Sequence, residues 1–287
     1  MNHLKNILII VLFASTLVLS AQTHRKCYTD EEDKILMNQD PTIGIKREAM
    51  QIAYRMYMDK LKSNPHNKVV EPVYRIPVVV HVMHNYGQTP GSCYQDFLTN
   101  RQKYFDAIDE INRQYRNDDS LKIRFPFNLI SHKLNIEFVL ANKDPQGNPT
   151  KGVVLHYDPE TESATQAIKA NTQWDNTKYL NIWVVNGIAS GAGGWSHYPG
   201  VPDNEDGIVV LNRQLSALAH ECGHWLGLPH PWGSSNDNDM ASNCSIDDGI
   251  ADTPNTRGQS NCDTTRNSCS DSPIPFIGVY GDTLWPA

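Results

Sequence analysis

The stretch HECGHWLGLPH, residues 220 to 230, sets three histidines, one glutamate and a glycine within eleven residues. On a helix, positions four apart differ by about 40° in direction and about 6 Å along the axis, so His220 and His224 face the same way and can grip one ion. Glu221 flanks that face. Gly227 stands where a residue free to take positive φ can end the helix and turn the chain sharply. That turn lets His230 reach back as a third ligand. Three neutral imidazoles around zinc leave one position for water, the arrangement of a catalytic rather than a closed structural site. Such a metal lowers the pKa of water towards about 7 and polarises a carbonyl, while Glu221 takes the proton and hands it to a leaving amine. The chemistry implied is peptide hydrolysis. H-E-x-x-H alone also occurs by chance on solvated helix faces; the longer form here fixes five residue types on an expected helix that follows a strand.

Other candidates carry less. Cys222, two residues from His220, points about 200° away on the helix and reads as core. His81 and His84 in VVVHVMH lie three apart on a strand, hence on opposite faces, as packing or hydrogen-bonded residues. His197, in GGWSHYPG, lines a cleft or sits on a surface loop. His132 and His156 carry no signal.

The motif needs a scaffold, and the sequence supplies one. RIPVVVHVMH, rich in Val and Ile, reads as a buried strand in a sheet covered on both faces. FLTNRQKYFDAIDEINRQYRN spaces Phe97, Phe105, Ile108 and Ile111 at helical intervals, with Tyr115 one turn on, as an amphipathic helix backing the sheet. LNIEFVLAN at 134 to 142, YLNIWVVNG at 179 to 187 and DGIVVL at 206 to 211 read as further strands. Between the last two, the glycines of IASGAGGWSHYPG suit a rim or bulge. A second helix over Arg213 to Leu226 offers Leu215, Leu218, Ala219, Cys222 and Leu226 for packing and carries the motif. Beyond Pro229 the chain turns to Asn, Asp, Ser, Gly and Cys, so regular structure should be sparse.

The N-terminal residues read differently. Lys5 leads into an apolar run from Ile7 to Leu19 and then Ser20 and Ala21, a secretory signal peptide over 1–21. That run of about 13 residues is short of the roughly 20 that span a bilayer, and no later segment could cross one. From residue 22 to about 70 the polar stretch YTDEEDKILMNQDP leads into a helical pattern carrying Ile45, Ile52, Met56 and Leu61, which SNPHN breaks. The main domain begins at about 71. With 287 residues, 20% charged residues and a formal net charge of -7, the chain can bury a sizeable core and lacks the basic stripe of a nucleic-acid binder. Export permits disulfides among its six cysteines, of which Cys244, Cys262 and Cys269 cluster after the motif.

HECGHWLGLPH matches the long zinc signature of the metzincins, and the order of RIPVVVHV, YLNIWVV, HWLGL and DDGIADTP over residues 72 to 270 resembles the pappalysin family, particularly its secreted bacterial members. The resemblance implies an α/β (α+β) zincin catalytic domain over 71–287. Its parts would be a mixed twisted sheet, a backing helix, an active-site helix and a small irregular C-terminal subdomain. It implies a zinc endopeptidase acting on protein or peptide substrates, with His220, His224 and His230 as zinc ligands and Glu221 as general base; the chain is expected to be secreted through its signal peptide and monomeric. Trp195 resembles the rim strand on which an extended substrate lies. Asp248 and Thr253, with Asp247 and Asp252 as contributors, resemble a calcium site; an ordinary polar turn is the other reading of the same residues. Cys244 would pair with Cys269, and Cys262 with a cysteine further along, which this sequence does not have.

Residues 22–70 fit a latency propeptide, in which Cys27 would cap the zinc as a thiolate, or Asp30, Glu31, Glu32 or Asp33 would block it instead. The family's methionine-containing turn beneath the zinc has no counterpart: Met240 stands only ten residues beyond His230, before DDGIADTP, and Tyr280 lies in no matching motif. The chain therefore reads as truncated or shifted in frame after about Ser270, leaving the C-terminal subdomain incomplete. The competing expectation is a catalytically silent zinc-binding or interaction protein lacking the pocket floor.

Overall fold

The computed structural model describes residues 27–63, 72–118, 133–234, 241–246, 248–250, 255–256, 269, 276–277 and 283–284. The expected signal peptide lies outside them. Two helices come first, α1 (Thr29–Gln39) and α2 (Thr42–Ser63). The polar stretch from Tyr28 is thus helical, and Asp30, Glu31 and Glu32 in its first turn favour the positive end of the helix dipole. α2 forms over the expected pattern, but Ile45, Ile52 and Met56 remain 68%, 45% and 68% exposed, so their spacing marks a helix and not a core face.

The scaffold is a twisted mixed sheet of six strands. β1 (Tyr74–His84) is central: its first half pairs with β2 (Ile136–Leu140) and its second half, along the same edge, with β3 (Val153–Tyr157), while β4 (Leu180–Val185) takes the opposite edge. All three pairings are parallel. The edge continues from β2 to β3 because Gly152, at φ +71°, brings the chain back where a Cβ would stand 2.8 Å from the Ala141 nitrogen. β6 (Ile208–Leu211) pairs in parallel with β4, and β5 (Gly194–Trp195) closes the order as an antiparallel edge on β6.

Strand alternation sorts the buried residues onto two faces. Val78, Val80, Val82, Ile182, Val184, Ile208 and Val210 face the helical side. There they meet Tyr104, Ile108 and Ile111 of α4 (Gln102–Tyr115) and Leu218 and Cys222 of α5 (Leu218–Trp225). Met83, Trp183, Val185, Val209 and Leu211 pack on the other side with Ile168 and Trp195. Burying such large side chains contributes roughly 1.5–3 kcal/mol each.

The single helix expected from Phe97 to Tyr115 is two, α3 (Cys93–Thr99) and α4, because Ser92 caps α3 through the Gln95 N–H and the chain breaks at Asn100. The motif helix likewise begins with a 3-10 turn, Leu215–Ala217, before α5. β3, including His156, went unread because VVLHY is short and its middle residues are only half-buried. Among the described residues, no helix is long and apolar enough to cross a membrane.

Candidate active site

α5 is aimed by the junction that precedes it. Asn212, directly after β6 and 2% exposed, donates its backbone N–H to the Val185 carbonyl. Its side-chain oxygen accepts from the Tyr104 hydroxyl (3.0 Å) and Lys103 Nζ (3.2 Å), and its amide donates to the Gly91 carbonyl and Asp96 Oδ2, both at 2.8 Å. This pin between sheet and helix is invisible in sequence, where Asn212 reads as a loop residue.

The helix ends as its glycine anticipates. Gly227, at φ +98°, donates to the His224 carbonyl (2.8 Å), and Leu228 N–H donates to the Gly223 carbonyl (2.9 Å), the two bonds of a Schellman motif. The reversal presents the Leu228 carbonyl to His224 Nδ1 at 2.7 Å and swings His230 back over the helix.

The structure brings His220, His224 and His230 together. His220 Nε2 lies 2.9 Å from His224 Nε2 and 3.4 Å from His230 Nε2. His224 Nδ1 must donate to Leu228 O, and His230 Nδ1 to Asp30 Oδ2 at 2.8 Å, so in its neutral form each ring turns an Nε2 lone pair towards the same point. Three imidazole nitrogens facing one point can hold a cation. Zn–N bonds of about 2.1 Å set tetrahedral nitrogens about 3.4 Å apart, so the donor set fits zinc. Burial, with neighbouring histidines adding to it, lowers the pKa of His220 to about 4 and of His224 to about 3, keeping these rings in the neutral state a metal requires.

Glu221 is 1% exposed beneath β5. Burial pushes its carboxyl up to about 8, against contacts from Cys27 and Thr29 that pull it down. A Cβ on Gly194 would stand 3.0 Å from Glu221 Oε1, so only glycine lets the edge strand approach the carboxylate this closely. An open cavity of about 470 Å³ flanks the histidines on the α4 side, bounded by Tyr115, Leu134, Leu228 and Pro231.

The N-terminal segment crosses this site. Cys27 forms a parallel bridge with Gly194, and Tyr28 N–H donates to the Gly194 carbonyl at 3.2 Å. Cys27 Sγ and a nitrogen of each motif histidine lie within 4.8 Å of one another, and Sγ is 3.8 Å from Glu221 Oε2. Thr29 Oγ1 accepts from Ser196 N–H (3.0 Å) and donates to Glu221 Oε2 (3.4 Å). Asp30 reaches His230, whereas Asp33 pairs with Arg47. Burial and the nearby Glu221 carboxylate raise the Cys27 thiol pKa well above its usual value in this geometry.

Trp195 lies on the edge strand, but its side chain is buried in the core, 1% exposed, so what the rim offers is backbone. His197 neither lines a cleft nor sits on the surface: it is 1% exposed, with Nδ1 accepting from Lys169 Nζ at 3.2 Å. Burial lowers Lys169 to about 7. His81 and His84 do occupy opposite faces; His81 bonds to His156 and Asn181, and His84 stacks on Tyr94. Cys244 and Cys269 form a disulfide with Cα atoms 5.6 Å apart. Asp248 Oδ1 accepts from Ile250 N–H (2.9 Å), an Asx-type turn. Asp247, Asp252, Thr253, Met240, Cys262 and Tyr280 lie outside the described residues.

Comparison with known proteins converges on the same region. A sequence model of the peptidase family described as Pregnancy-associated plasma protein-A matches residues 163–277, which hold α5 and both disulfide cysteines. No curated protein matches the chain. Among solved structures, a promirolysin mutant of Tannerella forsythia is 25% identical with a TM-score of 0.53, the match covering 74% of this chain and 74% of that one. Mature mirolysin of Tannerella forsythia in complex with a cleaved peptide is 25% identical, TM-score 0.56, over 75% of this chain and 85% of that one. Mirolysin in complex with compound 9 is 27% identical, with the same TM-score and coverage.

Proposed function

We propose that this chain, which carries a pappalysin-family domain of the metzincin type and is a metalloprotease, is a secreted zinc endopeptidase made in a latent form. The observation that carries the reading is the convergence of His220, His224 and His230 on one point beside the buried carboxylate of Glu221. Zinc held there would supply Lewis acidity, polarising the scissile carbonyl and acidifying water. Glu221 is the general base: it takes the proton of the attacking water and delivers it to the departing amine. The edge strand β5 orients the substrate, because the Gly194 carbonyl and Ser196 N–H, now engaged by Tyr28 and Thr29, are the groups an added peptide strand would use.

Residues 22–70 act as the latency segment, with Cys27 closing the position a substrate would need. Secretion is supported by the apolar run from Ile7 to Leu19 and by the Cys244–Cys269 disulfide. Calcium at Asp248 and Thr253 rests on the family resemblance and on ligand type.

The test is the Glu221→Ala variant, freed of residues 22–70 and supplied with zinc and calcium, in a casein or peptide-library digest. Zinc should remain at one equivalent while hydrolysis is lost. Unchanged turnover would defeat the general-base assignment, and absence of cleavage by the parent chain despite stoichiometric zinc would favour a silent metal-binding protein.

A further inference from the structure

The three histidines are not supported by the same part of the molecule. His224 Nδ1 donates to the Leu228 carbonyl inside its own Schellman turn, so its support stays with the catalytic domain. His230 Nδ1 donates at 2.8 Å to Asp30 Oδ2, and Asp30 belongs to α1. Both side chains are almost fully buried, 2% and 3% exposed. The second carboxylate oxygen, Oδ1, accepts from the Tyr198 hydroxyl at 3.0 Å, so the Asp30 carboxylate is clamped between two groups of the domain it covers. A carboxylate on the far nitrogen of a ligating imidazole fixes the tautomer, aims the Nε2 lone pair and raises its basicity. A charge-assisted bond in a buried setting is stronger than the solvent contact that would replace it.

We infer that Asp30 is a metal-positioning residue carried by the removable segment, so that the latent chain holds zinc more tightly than the chain freed of residues 22–70. The inference rests on the latency reading above. It adds that removing the segment does two things at once: it uncovers the cleft and withdraws the support of the third histidine. Zinc is therefore best acquired before cleavage, while Asp30 holds the His230 ring in place.

Zinc dissociation constants of the full chain are measured by competition with a chromogenic chelator, and cobalt is bound in place of zinc to record its visible bands. The parent chain should bind one equivalent and lose it with His224→Ala. Failure there removes the zinc reading and this inference with it, whereas the Asp30 comparison bears on the inference alone. Asp30→Ala should weaken zinc binding by about 10- to 100-fold and shift the cobalt bands, with the segment still docked as judged by resistance to trypsin. The chain freed of the segment should show a loss at least as large. Lys34→Ala is the control: it removes the anchor of α1 to the Ser234 carbonyl (2.8 Å) without touching Asp30, Tyr198 or His230, and should leave zinc affinity within about twofold. Unchanged affinity in Asp30→Ala, a loss that accompanies undocking of the segment, or an equal loss in Lys34→Ala would each overturn the proposal.

Discussion

Replacing Gly227 by alanine isolates what the turn after α5 contributes. A Cβ at this position would lie 3.6 Å from the Pro199 ring, an ordinary van der Waals contact, so the penalty is conformational and not steric. At φ +98° an L-residue is strained by about 1–2 kcal/mol relative to glycine. For a domain of roughly 200 residues this corresponds to a fall in Tm of about 2–8 °C. The strain is relieved when the turn opens, and opening removes both the Leu228 carbonyl from His224 and the approach of His230. Zinc binding must reclose it, so affinity should drop by about 5- to 30-fold, the same 1–2 kcal/mol expressed as an equilibrium. Gly191→Ala supplies the comparison: φ is +76° and nothing lies within 4 Å of the added Cβ, so it carries a similar strain outside the turn after α5. Both variants are measured by thermal melting and by zinc competition. The reasoning fails if Gly227→Ala keeps parental zinc affinity, or if Gly191→Ala loses as much.

Three further outcomes are expected. Cys27→Ala in the full chain should raise hydrolysis of a short fluorogenic peptide several-fold above the latent parent by emptying the position beside the three histidines; a chain that stays equally silent argues that α1 blocks the cleft without the thiol. Asn212→Ala takes the acceptor from the buried Tyr104 hydroxyl, while Lys103 and Asp96 keep each other, and should lower stability by about 1–3 kcal/mol, read in urea, with the zinc stoichiometry kept. Burial lowers Lys169 to about 7 against an unfolded value near 10.4, so between those limits the unfolded chain binds a proton that the folded chain does not. Stability contributed through this group must then rise with pH from about 7 to about 10, and Lys169→Met should flatten that slope; a slope unchanged in the variant assigns it elsewhere.

What could be read in advance was what depends on short-range spacing. The placement of His220, His224 and Gly227 on and just past one helix follows from 3.6-residue periodicity and the conformational freedom of glycine. β1, β4 and β6 announce themselves as runs of β-branched residues long enough to be buried on both sides. Features set by distant partners were not legible. α1 looks like a solvated tail because its sequence is acidic, yet Thr29 and Asp30 are buried by residues far along the chain. Trp195 carries the right address and the wrong orientation: alternation sends its ring into the core. Lys169 and His197 are polar types at home on a surface, and only the folded chain shows that they bury each other. α2 misleads in the opposite sense, since its apolar residues are spaced for packing but stand exposed.

The central strand has a kinetic consequence. β1 comes first among the strands, but its partner across the far edge is β4, so Val78 waits for Leu180, roughly a hundred residues further on. Neither β2 nor β3 alone covers more than half of β1, and neither supplies the residues that bury its opposite edge. Closing so long a loop before the pairing can reward it places this sheet among slowly nucleating topologies. Substitutions within β1 and β4 should therefore slow refolding, while changes in β5 or α1 should mainly hasten unfolding. The strand that organises the finished enzyme is, during folding, a bare apolar edge for longer than any other.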